Sequence, residues 1–533
     1  MSAQWKSASA RLPNLQRLQR QALSAFEQGH FDKAERLCAA ILEYRRDDFD
    51  ALHLLGFICL QRGRHLEAIG FLDRAVRADA RSVDAASNLG LALHGAGRLE
   101  EAVAAYRKAL ALAPNHPEIR YNLGNACLAL DRIDEALQSY DEALAHNASH
   151  VGAHVNRGNT LLRFNRPAEA LASYDKALAI MPGHGSILTN RGHALRRLDR
   201  PQEALTDLEA ALAKTPDFPE AHFETALARL TLGEFSAGWK EYEWRWKTGS
   251  FANQRRAFRQ PLWLGGEPLS GKTILLHAEQ GFGDTIQFIR YARLVAGLGA
   301  RVICEVQPEL VPLLSQLEGV EIVARGDALP AFDLHCPLLS LPLAFGTDAA
   351  SIPAGIPYLG APAARVARWR ERLGQVAPRA GFVWSGSAAH KNDANRSIAL
   401  ARLAPVLANL PLACFSLQRE MRAADRETLQ HIPNLTDLGP ELADFADTAA
   451  AISLLDIVVS VDTATAHLAG SLGKPVVILL PYAADFRWLR GASGTPWYPA
   501  AKLLRQPSFG DWDSVIDRLG GELQRHLAAA GGR

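Results

Sequence analysis

The sequence predicts an α-helical solenoid followed by an α/β region built on two parallel, doubly wound sheets. Up to about residue 254 the chain repeats itself at a shift of 34 residues. Beyond that point the period stops, and short apolar runs alternate with amphipathic stretches. The length of 533 residues, too great for one ordinary domain, agrees with several units.

Seven repeat units follow one another, at 17–50, 51–84, 85–118, 119–152, 153–186, 187–220 and 221–254, after a leading tail over 1–16. One column reads Ala22, Gly56, Gly90, Gly124, Gly158, Gly192, Ala226. A second reads Ala34, Ala68, Ala102, Ala136, Ala170, Ala204, then Gly238. Tyr106, Tyr140, Tyr174 and Tyr242 share a third, and Pro114, Pro182 and Pro216 fall near unit ends. Small residues let the two helices of a unit approach closely, aromatics fill the gap between units, and prolines mark turns. This pattern resembles the tetratricopeptide repeat, a helix–turn–helix unit that stacks into a superhelix.

A further column is Asn88, Asn122, Asn156 and Asn190, each two residues before the column glycine. In tetratricopeptide arrays this helix lines the concave face. An amide offers donors and an acceptor, so a row of them at unit spacing suits the backbone of an extended peptide. The plainer reading is that these asparagines cap or bridge neighbouring repeats. Spacing leaves both open.

In the second half the strands expected are "TILLHA", "RVICEV", "VEIVA" and "DLHCPL", then "AGFVWSG", "ACFSL", "DIVVSV", "PVVILL" and "AKLLRQ". Helical patterns between most of them imply parallel sheets. The proline-rich "SIPAGIPYLGAPAA" divides this half into two Rossmann-like lobes, 255–360 and 361–533, with strand ends facing a cleft. "DWDSVIDRLGGELQRHLA" reads as a closing helix.

After the first of these strands comes "EQGFGDTIQF", a tight glycine turn running into a helix. The dinucleotide fingerprint needs a third glycine where this chain has Ile286, and no GxxxxGK[ST] is present. What remains is Gly281, Gly283 and a carboxylate, Asp284, at a helix start. Asp284 alone reads as a helix cap. Two other segments converge on the same cleft. "WSGSAAHKNDANRS" supplies Lys391 and Arg396, and "VDTATAHLAGSLGKP" supplies Asp462, Thr463, Ala464 and His467. Amide groups at the second helix start, with the two cations, suit a diphosphate. His467 reads equally as a phosphate-facing or a packed histidine.

These segments resemble glycosyltransferase family 9, the heptosyltransferase-like branch of the two-lobed GT-B fold, over about 270–510. The motifs are "GFGDTIQF", "KNDANRSIAL" and "VDTATAHLAGSLGKPVVIL". The tail "DFRWLRGASGTPWYP" and the last repeat, "GEFSAGWKEYEWRW", are similar to the tetratricopeptide-fused members. The resemblance implies inverting, metal-independent transfer from a nucleotide-diphosphate sugar, with no separate cofactor. It implies Asp284 as general base. It also implies donor contacts from Gly281, Gly283, Lys391, Arg396, Asp462, Thr463, Ala464 and His467. The arrangement is also similar to that of O-linked N-acetylglucosamine transferases, which implies a protein acceptor held through Asn88, Asn122, Asn156 and Asn190.

Composition narrows the alternatives. A formal charge of +1 argues against general nucleic-acid binding. Six scattered cysteines without a CxxC pair read as buried, reduced thiols of a cytoplasmic protein. The N-terminal stretch lacks the apolar run of a signal peptide, and the most apolar strand is far too short to span a bilayer. Asp511 and Asp513 mimic a DxD metal motif but stand where a helix cap is expected, and His277, His335 and His390 are too scattered to argue a metal site. Two other classes stay open: a transferase acting on a glycan with repeats used for assembly, and a non-catalytic repeat adaptor.

Overall fold

The computed structural model describes residues 2–531 except 354, 376, 377 and 391, with side chains described from 14 to 526. The chain folds as two compact units, Met1–Asn190 and Arg191–Arg533. The division falls inside the repeat region, so the repeats from Arg191 onward fold together with the α/β half.

Each repeat is a pair of helices, beginning with Ser2–Glu27 and Phe31–Tyr44 and ending with Pro219–Thr231 and Phe235–Tyr242. Residues 1–16 are expected as a tail, and of these 2–16 contribute the first part of the helix Ser2–Glu27. The turn inside each unit has one residue in the left-handed region: Gly29, Gly63, Gly97, Asp131, Asn165, Asp199 and Gly233, with φ between 55° and 82°. These recur every 34 residues and are the types that tolerate positive φ. The chain reverses at the same place in every repeat.

The aromatic column sits differently from expectation. Tyr106, Tyr140 and Tyr174 lie over the glycine of their own unit, and Tyr140 also reaches Thr160 of the next one. A Cβ on Gly90, Gly124 or Gly158 would come within 2.5–2.6 Å of the ring carbon Cε1 of that tyrosine. The three tyrosines are at most 1% exposed, so they have no room to retreat. All six cysteines are buried and unpaired.

In the second unit ten strands are described. β1 is Thr273–His277, β2 Arg301–Val306, β3 Val320–Ala324, β4 Leu334–Pro337 and β5 Arg379–Val383. β6 is Ala413–Ser416, β7 Leu435–Asp437, β8 Ile457–Val461, β9 Val476–Leu480 and β10 Ala501–Arg505. They form a four-stranded sheet, β3-β2-β1-β4, and a six-stranded sheet, β10-β9-β8-β5-β6-β7, both parallel throughout. The nine expected strands are present, and the proline-rich stretch lies between the sheets. β7 was not expected: it has three residues, of which only Leu435 is buried, so no apolar run announces it.

Strand order reverses direction at two places, between β1 and β4 and between β8 and β5. Crevices at strand C-termini open where order reverses. The glycine turn follows β1, and the other two candidate segments follow β5 and β8, so all three stand at switch points.

Alanine normally improves a helix over glycine by about 1 kcal/mol. Gly124→Ala is expected to do the opposite, lowering stability by about 1–3 kcal/mol through overpacking against Tyr140. Chemical denaturation followed by circular dichroism checks this, and a more stable variant would show that the Tyr140 ring can yield.

Candidate active site

β1 delivers the chain into a turn fixed on several sides. Ala278 donates its N–H to the Glu305 carbonyl (2.9 Å), and Gln307 Nε2 donates to the Gln280 carbonyl (2.9 Å). The Gly281 N–H donates to Asp284 Oδ2 at 2.9 Å, so Asp284 does cap the helix Phe282–Phe288. Its other oxygen, Oδ1, accepts from Arg487 of the opposite lobe. Arg487 is 7% exposed and also donates to Asp485 Oδ1 (2.7 Å) and Gln287 Oε1 (2.6 Å), with its guanidinium 4.4 Å from the Phe486 ring centre.

Gly283 brings the lobes together. A Cβ there would lie 2.8 Å from His467 Cδ2 and 3.5 Å from the Ala464 Cα. The glycine turn therefore closes onto the start of the helix Ala464–Ser471. His467 is 5% exposed, pairs through Nδ1 with the Tyr498 hydroxyl (2.9 Å) and stacks on Trp488. Burial, helped by Arg487, Arg290 and Arg396, holds its pKa well below the usual value.

On the other side of the seam, Arg396 Nη1 donates to the Asp462 carbonyl at 2.9 Å, and the Thr463 and Ser460 hydroxyls meet at 3.0 Å. The first N–H groups of a helix have no partner within it, which leaves the Ala464 end suited to an anion. Burial first, and then neighbouring Asp485, push the Asp462 carboxyl up to about 6. His390 lies within electrostatic reach of Arg396, Asp485 and Asp284. The seam thus gathers Asp284, Asp462 and Asp485 with Arg396 and Arg487. Lys391 lies outside the described residues.

The asparagine row serves as a set of bridges. Nδ2 of Asn156 donates to Asn125 Oδ1 (2.8 Å) and the Tyr121 hydroxyl (3.1 Å) of the preceding repeat. Nδ2 of Asn190 donates to Asn159 Oδ1 (3.1 Å), and Asn88 meets His53 at 3.0 Å. Asn122 is half-buried in the same row. Asn125 and Asn159, outside the expected set, also accept from the hydroxyls of Tyr140 and Tyr174.

The structure brings His277 and His335 together at 3.3 Å, against the ring of Phe258, although they are 58 residues apart in sequence. His390 is elsewhere, and no group of three or more potential ligands is placed to hold a metal ion among the described residues. Asp511 caps by accepting from the Ser514 N–H (3.0 Å) and hydroxyl (2.7 Å). No helix among the described residues is long and apolar enough to cross a membrane.

Sequence reasoning missed Arg487 and Asp485. The tail that holds them was noted only for its family likeness. An arginine 203 residues from its carboxylate partner leaves no periodic mark.

The raised pKa of Asp462 has a stability consequence. Its folded value lies above the ordinary 3.8, so the fold binds this proton more tightly than the unfolded chain does. The stabilisation is present below about pH 4 and is lost as pH rises through about 6. Asp462→Asn removes the titration and is expected to raise stability by about 1–2 kcal/mol at pH 7.5 with little effect at pH 4. Thermal melts at both pH values check this; equal shifts would contradict it.

Comparison with known proteins adds family information to this geometry. The family described as tetratricopeptide repeat matches residues 20–83, 93–155 and 189–242. The family described as glycosyltransferase family 9 (heptosyltransferase) matches 413–495, which includes β8, the Asp462–His467 turn and Arg487. Protein FlbA of Caulobacter vibrioides is 26% identical over 349 residues, 59% of this chain and 57% of that protein. The chain thus spans little more than half the length of this curated relative. Among solved structures, YrrB, titled a TPR protein with an unusual peptide-binding site, is 22% identical with a TM-score of 0.31, covering 34% of this chain and 95% of its own. A tetratricopeptide repeat protein from Parabacteroides merdae is 18% identical with a TM-score of 0.37, covering 43% and 91%. Likeness this low carries no argument about this chain. The family matches and the two parallel sheets agree: tetratricopeptide repeats are followed by an α/β half in which 413–495 match glycosyltransferase family 9.

Proposed function

We propose that this chain transfers a sugar from a nucleotide-diphosphate donor to an acceptor hydroxyl, with inversion at the anomeric carbon and without a metal ion. The observation that carries this is the meeting, at one seam, of the Gly281–Asp284 turn with Arg396 and the helix start at Thr463–Ala464. In this reading the diphosphate lies at the Ala464 helix start, with Arg396 and Arg487 beside it. Helix-start amides and guanidinium groups stabilise the charge that develops on the leaving diphosphate. That supply of positive charge is what supports a metal-independent reaction.

Asp284 takes the proton of the acceptor hydroxyl as that oxygen attacks the anomeric carbon. Two of its acceptor sites are used, by the Gly281 N–H and Arg487. An ionised carboxylate has about four such sites, so acceptor capacity remains. His467, neutral and buried behind Gly283, shapes the turn.

The acceptor in this reading is a protein held by the repeats. Support comes from the asparagine row, whose members recur at unit spacing. A glycan acceptor is the second reading, favoured by the family 9 match itself, since heptosyltransferase stands in that family's description.

Asp284→Asn keeps the shape and is a poor base, and its single amide oxygen can accept from the Gly281 N–H or from Arg487 but not from both. With a panel of nucleotide sugars and EDTA present, the wild type is expected to turn over a donor and the variant, folded by circular dichroism but with a lower melting temperature because Arg487 loses its charged partner, to lose about 100-fold or more. Full activity in the variant would reduce Asp284 to a helix cap, and loss of wild-type turnover on EDTA treatment would overturn metal independence.

Changing Asn88, Asn122, Asn156 and Asn190 together to alanine separates the two acceptors. Each amide contact is worth only about 1 kcal/mol net, so the combined variant is needed. Labelling of proteins in a lysate is expected to fall while transfer to a small sugar acceptor persists. An unchanged protein pattern in a variant of wild-type helicity would put the glycan reading first.

A further inference from the structure

A further hold on the glycine turn comes from the last repeat. Arg245 lies in the short helical turn Glu243–Lys247 and is 0% exposed. Its Nη2 donates to Glu279 Oε1 (3.0 Å), Glu279 Oε2 (3.1 Å) and the Ser340 hydroxyl (2.8 Å). Nε adds a bond to Glu279 Oε2 (3.2 Å), and Nη1 donates to Glu243 Oε1 (2.7 Å) and the Tyr242 carbonyl (3.1 Å). The rings of Tyr242 and Trp246 lie 4.8 and 4.4 Å from the guanidinium carbon.

Glu279 stands two residues before Gly281 and also accepts the Leu339 N–H at 3.1 Å. The next residue, Gln280, donates through Nε2 to the Tyr242 hydroxyl at 2.9 Å. Two consecutive residues that lead into the turn are therefore held by Tyr242 and Arg245.

The same repeat reaches the other half of the seam. Trp239 meets Phe288 and Phe486 edge-on, with ring centres 6.0 and 5.7 Å away. These two rings flank the Arg487 guanidinium. Three residues on, the Arg490 N–H donates to the Thr231 carbonyl (3.1 Å) and its Nε to Asp199 Oδ2 (3.0 Å). The last repeats thus grip both segments, the one that carries Asp284 and the one that carries Arg487.

We propose that Arg245 is a positioning residue of the transfer site: through Glu279 it fixes the Gly281–Asp284 turn, and the last repeat is a working part of the transferase. This rests on the reading of the preceding section. A bond pattern that served only to fasten two domains needs no particular address on the N-terminal lobe. This one ends on the two residues that immediately precede the turn.

The test uses the full chain with Arg245→Lys, which keeps the charge but not the planar fork, and Glu279→Gln, which keeps shape but not charge. Two quantities are read: amide hydrogen exchange of peptides spanning 280–288 against those of β8 and β9, and kcat and donor KM separately. Both variants are expected to speed exchange at 280–288 by about tenfold or more while β8 and β9 keep their wild-type rates. They are expected to lower kcat by about 100-fold with donor KM within about threefold. Arg372→Lys, at the exposed Arg372–Glu441 pair, is expected to change neither. Wild-type exchange at 280–288 in both variants, or an equal acceleration throughout the unit, overturns the proposal. If Arg245→Lys fails to fold, Glu279→Gln decides. A wild-type chain that turns over no nucleotide sugar sinks the transferase reading instead, and exchange alone then decides whether Arg245 positions the turn.

Discussion

A guanidinium with no exposed surface sits where the repeat array meets the α/β half, and its need for partners organises the structure around it. Burying a charge costs several kcal/mol unless it is paired and fully hydrogen-bonded. Arg245 meets that condition only because Glu279, Glu243, Ser340 and the Tyr242 carbonyl come together, from the last repeat, from the end of β1 and from the segment after β4. Removing one partner of such a pair typically costs about 3–5 kcal/mol, far more than an exposed ion pair contributes. The last repeat is thereby committed to the α/β half, in keeping with their membership of one compact unit.

The seam between the two sheets follows a related logic. Arg290, 5% exposed, finds no carboxylate there but donates to the Trp497 carbonyl (3.0 Å) and the Tyr358 hydroxyl (3.0 Å), among the rings of Tyr358, Trp497 and Tyr498. Tyr498 in turn orients His467, and His467 fills the space that a side chain on Gly283 would need. Close approach at Gly283 brings Asp284 to Arg487 and the glycine turn to the helix start at Ala464. Three carboxyls and two guanidinium groups are held in one small region, and burial first, then the nearby Asp485, raise the pKa of Asp462 against the pull of Arg396 and Arg487.

In the repeats, side chains of the same type do the same task in each unit. A left-handed residue closes the turn in all seven units, a glycine admits a tyrosine in three and a leucine in two others, and Asn88, Asn156 and Asn190 each tie their unit to the one before. The tie uses the amide nitrogen of each. Repetition of one local solution is what makes the array legible as a period of 34.

Much of this molecule was legible in the sequence because the signals are local or periodic. The repeat columns, nine of the ten strands and the change of regime near residue 255 each rest on neighbouring residues. The three site segments could be picked out because each follows a strand and carries glycines, hydroxyls or cations. The exceptions have physical causes. β7 is too short and too exposed to show an apolar run, and the slot that each tyrosine fills in its own unit exists only because the residue opposite is glycine. The pairings Asp284–Arg487 and Arg245–Glu279 join residues 203 and 34 positions apart. Electrostatic attraction acts through space and leaves no spacing rule in the chain. The sequence by itself determined the repeats, the strand order along the chain and the residue types available to a site. Only the tertiary structure decided which charges met, because that choice was made by burial and by the close packing of His467 on Gly283.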